Sequence, residues 1–109
     1  MKVRYKVWLE DGSHLFGDGA ASLLQAIDEL GSINRAAARL NMSYRQAWGH
    51  IRKVEERMGI PLLETRVGGE HGGGSQLTPA ARELLQKYQL FKKRVNDSIQ
   101  QIFHQVFGE

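Results

Sequence analysis

Two arginines spaced to share one side of a helix are the residues of this sequence best suited to binding a partner. Arg45 and Arg52 are seven residues apart, which corresponds to two helical turns. An arginine side chain carries a planar fork of donors that can hydrogen-bond a guanine base at two atoms. Tyr44, Trp48 and Gly49 fall on the same side, and a glycine there lets the helix approach another backbone closely. These residues predict contact with nucleic acid.

The charge of the chain supports the same interpretation, because it is unevenly distributed. Residues 35–66 contain seven Lys or Arg and three Glu, whereas the net charge of the whole chain is only +3. Lys53 and Arg57 lie further along the same helix and are better placed for phosphates. Ser43 and the amides at the helix start are also suited to a phosphate. Charge alone is equally consistent with a solvated helix surface.

Catalysis and metal binding find little support in the sequence. The four histidines are scattered without metal-ligand spacing, and there is no cysteine. The glycine-rich run ends in Gly74-Ser75-Gln76 and so lacks the lysine of a phosphate-binding P-loop. We therefore expect no enzyme activity, no metal site and no cofactor. No apolar run exceeds three residues, so we expect a cytoplasmic protein that does not enter membranes.

The first third of the chain changes from strand to helical periodicity. Apolar and polar residues alternate over Lys2–Glu10, which predicts a strand with one buried face. Asp11-Gly12 is typical of a hairpin turn, and His14–Phe16 is expected to return as a short second strand. A helix follows over Ala20–Leu30, where leucine and isoleucine recur at helical spacing and Gly31 ends the run.

Two further helices meet across a break of two residues, Asn41-Met42. The first is predicted over Ile33–Leu40, and the second over residues 43–58. Asn tolerates the left-handed backbone that such a tight turn can require, and Ser43-x-x-Gln46 has the pattern of a capping box. Small residues of the first helix are expected to let the second approach closely, namely Ala36, Ala37 and Ala38. The second helix is expected to bury one stripe, consisting of Ala47, Ile51, Val54 and Met58.

The remaining residues predict a two-stranded ribbon and a long helix. Leu62–Val67 and Gln76–Thr78 are the expected strands, and residues 68–75 between them are too rich in glycine for a regular element. The long helix is predicted over residues 79–107, because Thr78-Pro79 is a typical helix start and no glycine or proline follows until its end. Its apolar stripe, with steps of three or four residues, includes Tyr88, Phe91, Val95, Ile99, Ile102 and Val106.

This order of elements predicts a mainly α fold with small β, in a single domain over residues 1–109. The predicted architecture is a winged helix-turn-helix with an N-terminal β-hairpin and a long C-terminal dimerisation helix. Residues 43–58 would be the recognition helix, which enters the major groove of double-stranded DNA. A second copy related by a two-fold axis is the simplest cover for the stripe of the long helix. The alternative is that this helix folds back on its own domain.

Gly31–Ser43 and Glu55–Arg66 together resemble the DNA-binding domain of LysR-type regulators. Met42–Trp48 and Glu64–Gly69, followed by glycines 72–74 and Leu77-Thr78-Pro79, look like the N-terminal domain of ModE-type, molybdate-responsive regulators. The resemblance implies a homodimer that binds palindromic operator DNA through the recognition helix and a wing at residues 68–75. We expect the DNA contacts to come from Ser43, Tyr44, Arg45, Trp48, Gly49, Arg52, Lys53, Arg66, Gly69, His71 and Gly72.

The sequence departs from this family in two places. Glu70-His71 stands in the wing where the family usually has a basic residue or more glycine, and an anion there repels phosphate. No molybdate-binding domain is expected in this chain, so molybdate is not expected as a cofactor. The alternative to DNA binding is a winged-helix interaction module that has lost it, which Glu55, Glu56 and Glu70 favour.

Overall fold

Four helices and two short antiparallel strand pairs follow one another in the computed structural model, which describes residues 1–66 and 74–109. β1 pairs with β2, and β3 pairs with β4. The predicted mainly helical, winged helix-turn-helix architecture is confirmed. The elements in chain order are β1 (Leu9–Glu10), β2 (His14–Phe16), α1 (Asp18–Leu30), α2 (Ile33–Arg39), α3 (Tyr44–Met58), β3 (Leu63–Arg66), β4 (Gly74–Leu77) and α4 (Pro79–Phe107).

Hydroxyl side chains begin three of the helices by accepting hydrogen bonds from otherwise unpaired amides. Ser32 accepts from the Arg35 amide at 3.2 Å, and Thr78 accepts from the Ala81 amide at 3.1 Å. Ser43 accepts from the Gln46 amide at 3.0 Å, while the Gln46 side chain accepts from the Ser43 amide at 2.8 Å. The predicted capping box is therefore confirmed, and it fixes the start of α3.

The turn between α2 and α3 depends on one residue with left-handed backbone. Asn41 has φ 56°, as the sequence predicts. The Met42 amide donates to the Ala37 carbonyl oxygen at 3.0 Å, which ties the turn to α2. Ala36 and Ala37 are buried between the helices, but Ala38 is exposed, so its expected role in the contact is wrong. Ala38 lies one residue further round α2, on its outer side.

A single core forms where α1, α2, α3 and the start of α4 meet. Ala47, Ile51 and Val54 of α3 are buried as predicted, whereas Met58 is 37% exposed. Met58 is the last residue of α3, and the chain turns away from the core at Gly59, which has φ 68°. The expected buried stripe of α3 is therefore one turn too long.

The N-terminal segment, residues 1–8, forms no strand, which corrects the prediction for Lys2–Glu10. β2 is only three residues long, and a bulge interrupts its pairing with β1. Residues 1–8 instead lie along α4. The Tyr5 hydroxyl donates to the Asn96 side chain at 2.6 Å, and the Tyr88 hydroxyl lies 3.2 Å from the Val7 carbonyl oxygen.

α4 has the predicted bounds, and its first half belongs to the core. Tyr88 is 2% exposed and packs edge-on against Phe16, with 5.1 Å between the ring centroids. Its hydroxyl donates to the Asp18 carboxylate at 2.9 Å, and Lys92 donates to the same oxygen at 2.6 Å. The prediction of Tyr88 as a dimerisation residue is therefore wrong, because its own protomer covers the side chain.

The base of the wing is held against the body by a close backbone contact. The Ser75 amide donates to the Gly31 carbonyl oxygen at 3.0 Å. A Cβ atom at Gly74 would lie 2.8 Å from the same oxygen, which is closer than real Cβ atoms come. β4 thus begins at Gly74, earlier than the expected Gln76–Thr78, because this hydrogen bond orders residues 74 and 75. Residues 67–73, most of the predicted wing, lie outside the described residues.

Gly74→Ala should destabilise the fold by about 1–3 kcal/mol, because a backbone oxygen has little freedom to give way. Gly49→Ala is the matched control: its added methyl group meets no atom within 4 Å, so a gain of about 0.5–1 kcal/mol in helix stability is expected. Urea unfolding followed by circular dichroism measures both. Equal stability of the two variants would contradict the proposed close contact.

The burial of Tyr88 also predicts how stability depends on alkaline pH. Burial and the neighbouring Asp18 carboxylate raise the pKa of the Tyr88 hydroxyl from 10.0 to about 12. Because the folded-state pKa is the higher one, the stabilisation is complete below pH 10 and is lost as the pH rises towards 12. The total loss should be roughly 1–3 kcal/mol. In Tyr88→Phe this loss should be much smaller, whereas Tyr44→Phe should retain it in the same unfolding measurement.

Candidate nucleic-acid interface

The outer side of α3 presents a set of exposed side chains opposite the buried Ala47, Ile51 and Val54. Helical geometry places Arg45, Gly49 and Arg52 near the middle of this side, with Lys53 beside them. All four are exposed. The predicted grouping of these residues on one face is thus what the structure shows. We call the surface formed by Tyr44, Arg45, Trp48, Gly49, Arg52 and Lys53 the α3 face.

Three side chains of the α3 face form a row at intervals of four residues. The rings of Tyr44 and Trp48 meet edge-to-face, with 6.3 Å between their centroids. The guanidinium carbon of Arg52 lies 5.2 Å from the Trp48 ring centroid. Trp48 is half-buried and packs against the core cluster, whereas Tyr44 is 49% exposed. This row was not predicted from the sequence, although the four-residue spacing of Trp48 and Arg52 is a signal for such a contact.

The start of α3 lies beside the same face. The Ser43 hydroxyl accepts from the Gln46 amide and so is already used in the cap. Its own hydrogen can still be donated to a phosphate, since a hydroxyl is both donor and acceptor. The first-turn amides of Tyr44 and Arg45 have no acceptor within a helix. They add partial positive charge at this end of α3.

The cations of the predicted basic stretch divide into two groups. Arg57 donates to the Ser13 hydroxyl and to the carbonyl oxygens of Ser13 and His14, at 3.4 Å and 3.2 Å. These bonds fasten the β1–β2 hairpin to α3, and the expected role of Arg57 at phosphates stays a prediction. Arg39 is paired with Glu29. Within the described part of the chain, Arg45, Arg52 and Lys53 form no ion pair and no hydrogen bond from their side chains.

Gly49 has no structural reason to be glycine. A Cβ atom built at this position meets nothing within 4 Å, and its backbone is ordinary helix. A glycine inside a helix costs about 0.5–1 kcal/mol relative to alanine. The open space above Gly49 lies on the outer surface, between Arg45 and Arg52.

Of the predicted wing, the structure describes only the base. Arg66 ends β3, where it is paired with Gly74 of β4. Gly69, His71 and Gly72 lie outside the described residues, so their predicted contacts stay predictions.

α4 presents a second surface beyond its buried half. Phe91, Ile102 and Val106 are 45%, 57% and 69% exposed, while Val95 and Ile99 are half-buried. Tyr5 contacts Asn96, so the N-terminal segment occupies one flank of α4, and the flank with Phe91, Ile102 and Val106 is open. Of the predicted dimerisation residues, all but Tyr88 are therefore at least partly accessible.

Neither a metal site nor a membrane-spanning helix is apparent in residues 1–66 and 74–109. Histidine and carboxylate side chains do not come together there in threes, as a metal ion would require. No described helix, α4 included, has an apolar stretch that could span a bilayer.

Comparison with protein families gives a match to the bacterial regulatory helix-turn-helix proteins of the lysR family over residues 20–82. This range contains all but the first two residues of α1, the whole of α2 and α3, both wing strands and the start of α4.

Relatives include two regulators named ModE. The transcriptional regulator ModE of Haemophilus influenzae is 44% identical over 71 residues, which are 65% of this chain and 28% of the relative. The DNA-binding transcriptional dual regulator ModE of Escherichia coli is 38% identical over 91 residues, 83% of this chain and 35% of the relative. The chain thus spans 28–35% of the length of these two relatives. The expected resemblance to the ModE-type domain is confirmed.

Solved structures share the fold. The DNA-binding domain of CbnR in complex with DNA superposes with a TM-score of 0.60 at 22% identity, covering 81% of this chain and 95% of that one. The BenM DNA-binding domain in complex with benA site 1 DNA gives 0.59 at 22% identity, covering 84% and 97%.

Proposed function

The chain belongs to the lysR family of bacterial regulatory helix-turn-helix proteins, and on this premise we propose that it binds double-stranded DNA and regulates transcription. The observation that carries the proposal is the α3 face. Arg45, Arg52 and Lys53 stand exposed there, and in the described part of the chain their side chains form neither an ion pair nor a hydrogen bond. Exposed, unpaired cations on one side of a helix are suited to a polyanion.

The α3 face divides into groups for bases and groups for phosphates. The major groove is about 12 Å wide and admits one helix. Arg45 and Arg52 are two turns apart on that helix and can each donate two hydrogen bonds to a guanine. Lys53 and the amides at the start of α3 are suited to phosphates. The proposed activity needs no cofactor, because every group it uses belongs to the chain itself.

We further propose that the DNA-binding form is a homodimer joined through the open flank of α4. Phe91, Ile102 and Val106 are large, apolar and exposed there, and the half-buried Val95 and Ile99 continue the stripe. A second copy brings the same apolar flank and covers both stripes at once. A two-fold dimer of this kind would bind a palindrome with half-sites about 34 Å apart or a multiple of that distance.

The DNA proposal predicts that selection from a random duplex pool recovers a palindrome. Arg45→Ala and Arg52→Ala should each weaken binding to it by about 1–3 kcal/mol. Arg94→Ala, which removes an exposed arginine from α4, is the matched control and should change affinity little. Affinity of the unchanged protein should fall roughly 10³–10⁵-fold between 50 and 200 mM salt if about 6–10 phosphates are contacted.

Gel shifts or fluorescence anisotropy with the selected duplex measure these effects. Unaltered binding by both α3 variants would remove α3 from the interface. Absence of salt-sensitive binding to any duplex would favour the interaction module instead.

The dimer proposal predicts that Ile102→Asp separates the protomers, because two charges would be buried near the two-fold axis. Leu90→Asp is the matched control: Leu90 is 51% exposed on the same helix but lies about 120° round it from Ile102. Sedimentation equilibrium should give a monomer for Ile102→Asp and a dimer for Leu90→Asp. A dimer in both variants would show that the open flank is not the interface.

A further inference from the structure

The two arginines of the α3 face differ in their surroundings, because only Arg52 belongs to the row formed with Tyr44 and Trp48. The Arg52 guanidinium lies over the Trp48 ring, with its carbon 5.2 Å from the ring centroid. Arg45 has no ring contact of this kind among the described residues. The two arginines therefore differ in how firmly their side chains are held.

Trp48 is itself held in place from two sides. One part of the side chain packs against the core cluster, and Tyr44 meets the ring edge-to-face at an interplanar angle of 83°. A ring fixed in this way offers the Arg52 guanidinium a fixed surface. Such contact between a cation and an aromatic face is favourable even at exposed sites.

The contact with Trp48 leaves hydrogen-bonding capacity of Arg52 unused. A guanidinium carries five N–H donors in a planar fork, and contact with one aromatic face does not use the N–H groups that point away from the ring. Across residues 1–66 and 74–109, no acceptor is bound to the Arg52 side chain. Arg52 therefore combines restricted orientation with a free fork of donors, which two-atom recognition of a guanine requires.

We propose that Trp48 is a positioning residue, which orients Arg52 to read a guanine in the operator and so makes it the stricter reader of the two arginines. The inference rests on the proposed DNA-binding function. Part of the rotamer freedom that an arginine loses on binding is already lost in the free protein. Arg45, without this support, is expected to tolerate a wider choice of bases.

The first test concerns the free protein and needs no DNA. In the nuclear magnetic resonance spectrum, the ring current of Trp48 should shift the side-chain protons of Arg52 upfield. Trp48→Leu should abolish the shift, whereas Trp8→Leu, which changes the tryptophan of the N-terminal segment, should leave it intact. Absence of the shift in the unchanged protein would overturn the proposal.

The second test measures base discrimination on the selected duplex, with each base pair replaced in turn. Arg52→Ala should reduce discrimination at one base pair by roughly 5- to 150-fold. Trp48→Leu should reduce it at the same base pair by about two- to fivefold, and Trp48→Phe, which keeps an aromatic face, should recover most of it. The double variant Trp48→Leu with Arg52→Ala should discriminate no worse than Arg52→Ala alone.

The outcomes separate the two proposals. If the unchanged protein selects no duplex, the proposed function fails, and the positioning role with it. If the protein binds and discriminates, but Trp48→Leu keeps full discrimination at the Arg52 base pair, only the positioning role is overturned. Additive losses in the double variant would also overturn it, because they would show that Trp48 acts independently of Arg52.

Discussion

The close contact between α2 and α3 is the constraint on which the rest of the structure depends. Ala36 and Ala37 of α2 and Ala47 of α3 are buried, and alanine at a helix contact lets two backbones approach. The turn that joins the helices can be this short because Asn41 adopts left-handed backbone. Once the alanine side of α3 is fixed inward, the rotation of the helix about its own axis is fixed too. The side with Arg45 and Arg52 then faces solvent, whatever partner it has.

The fixed rotation of α3 also determines which of its charged side chains are available to a partner. Glu55 accepts from the Leu62 amide at 2.8 Å, and Arg57 donates to the β1–β2 hairpin, so both side chains have structural roles. The acidic Glu55 is therefore a weak argument for an interaction module. The unpaired cations lie in the first two-thirds of α3, which is the part of a recognition helix nearest its N-terminus, where base contacts concentrate in this motif. Structural and binding roles are thus separated along one helix.

The sequence correctly predicted those structural features that are determined by residues close together in the chain. The capping box at Ser43, the left-handed Asn41 and the bounds of α4 follow from residue types and spacing alone, and all three are confirmed. The errors arose where a distant segment decides the outcome. Alternation over Lys2–Glu10 describes a chain with one apolar side, but a strand needs a partner, and α4 takes that place. Tyr88 fits the apolar stripe of α4 by spacing, yet Phe16 and Asp18 bury it, and nothing local to α4 reveals them.

Tyr88 is also the last buried residue of α4. Up to this residue one side of the helix is part of the core, and beyond it every side chain is exposed or half-buried. Tyr88 and Lys92 both bind Asp18, the first residue of α1, and the Lys92 ammonium lowers the pKa of that carboxyl below its usual value. This junction fixes the angle at which α4 leaves the body. In the proposed dimer, the distance between the two α3 helices is set by that angle as well as by the apolar contacts further along α4. The spacing of the half-sites would therefore depend on the polar cluster at the junction of α1 and α4 as well as on the dimer contact itself.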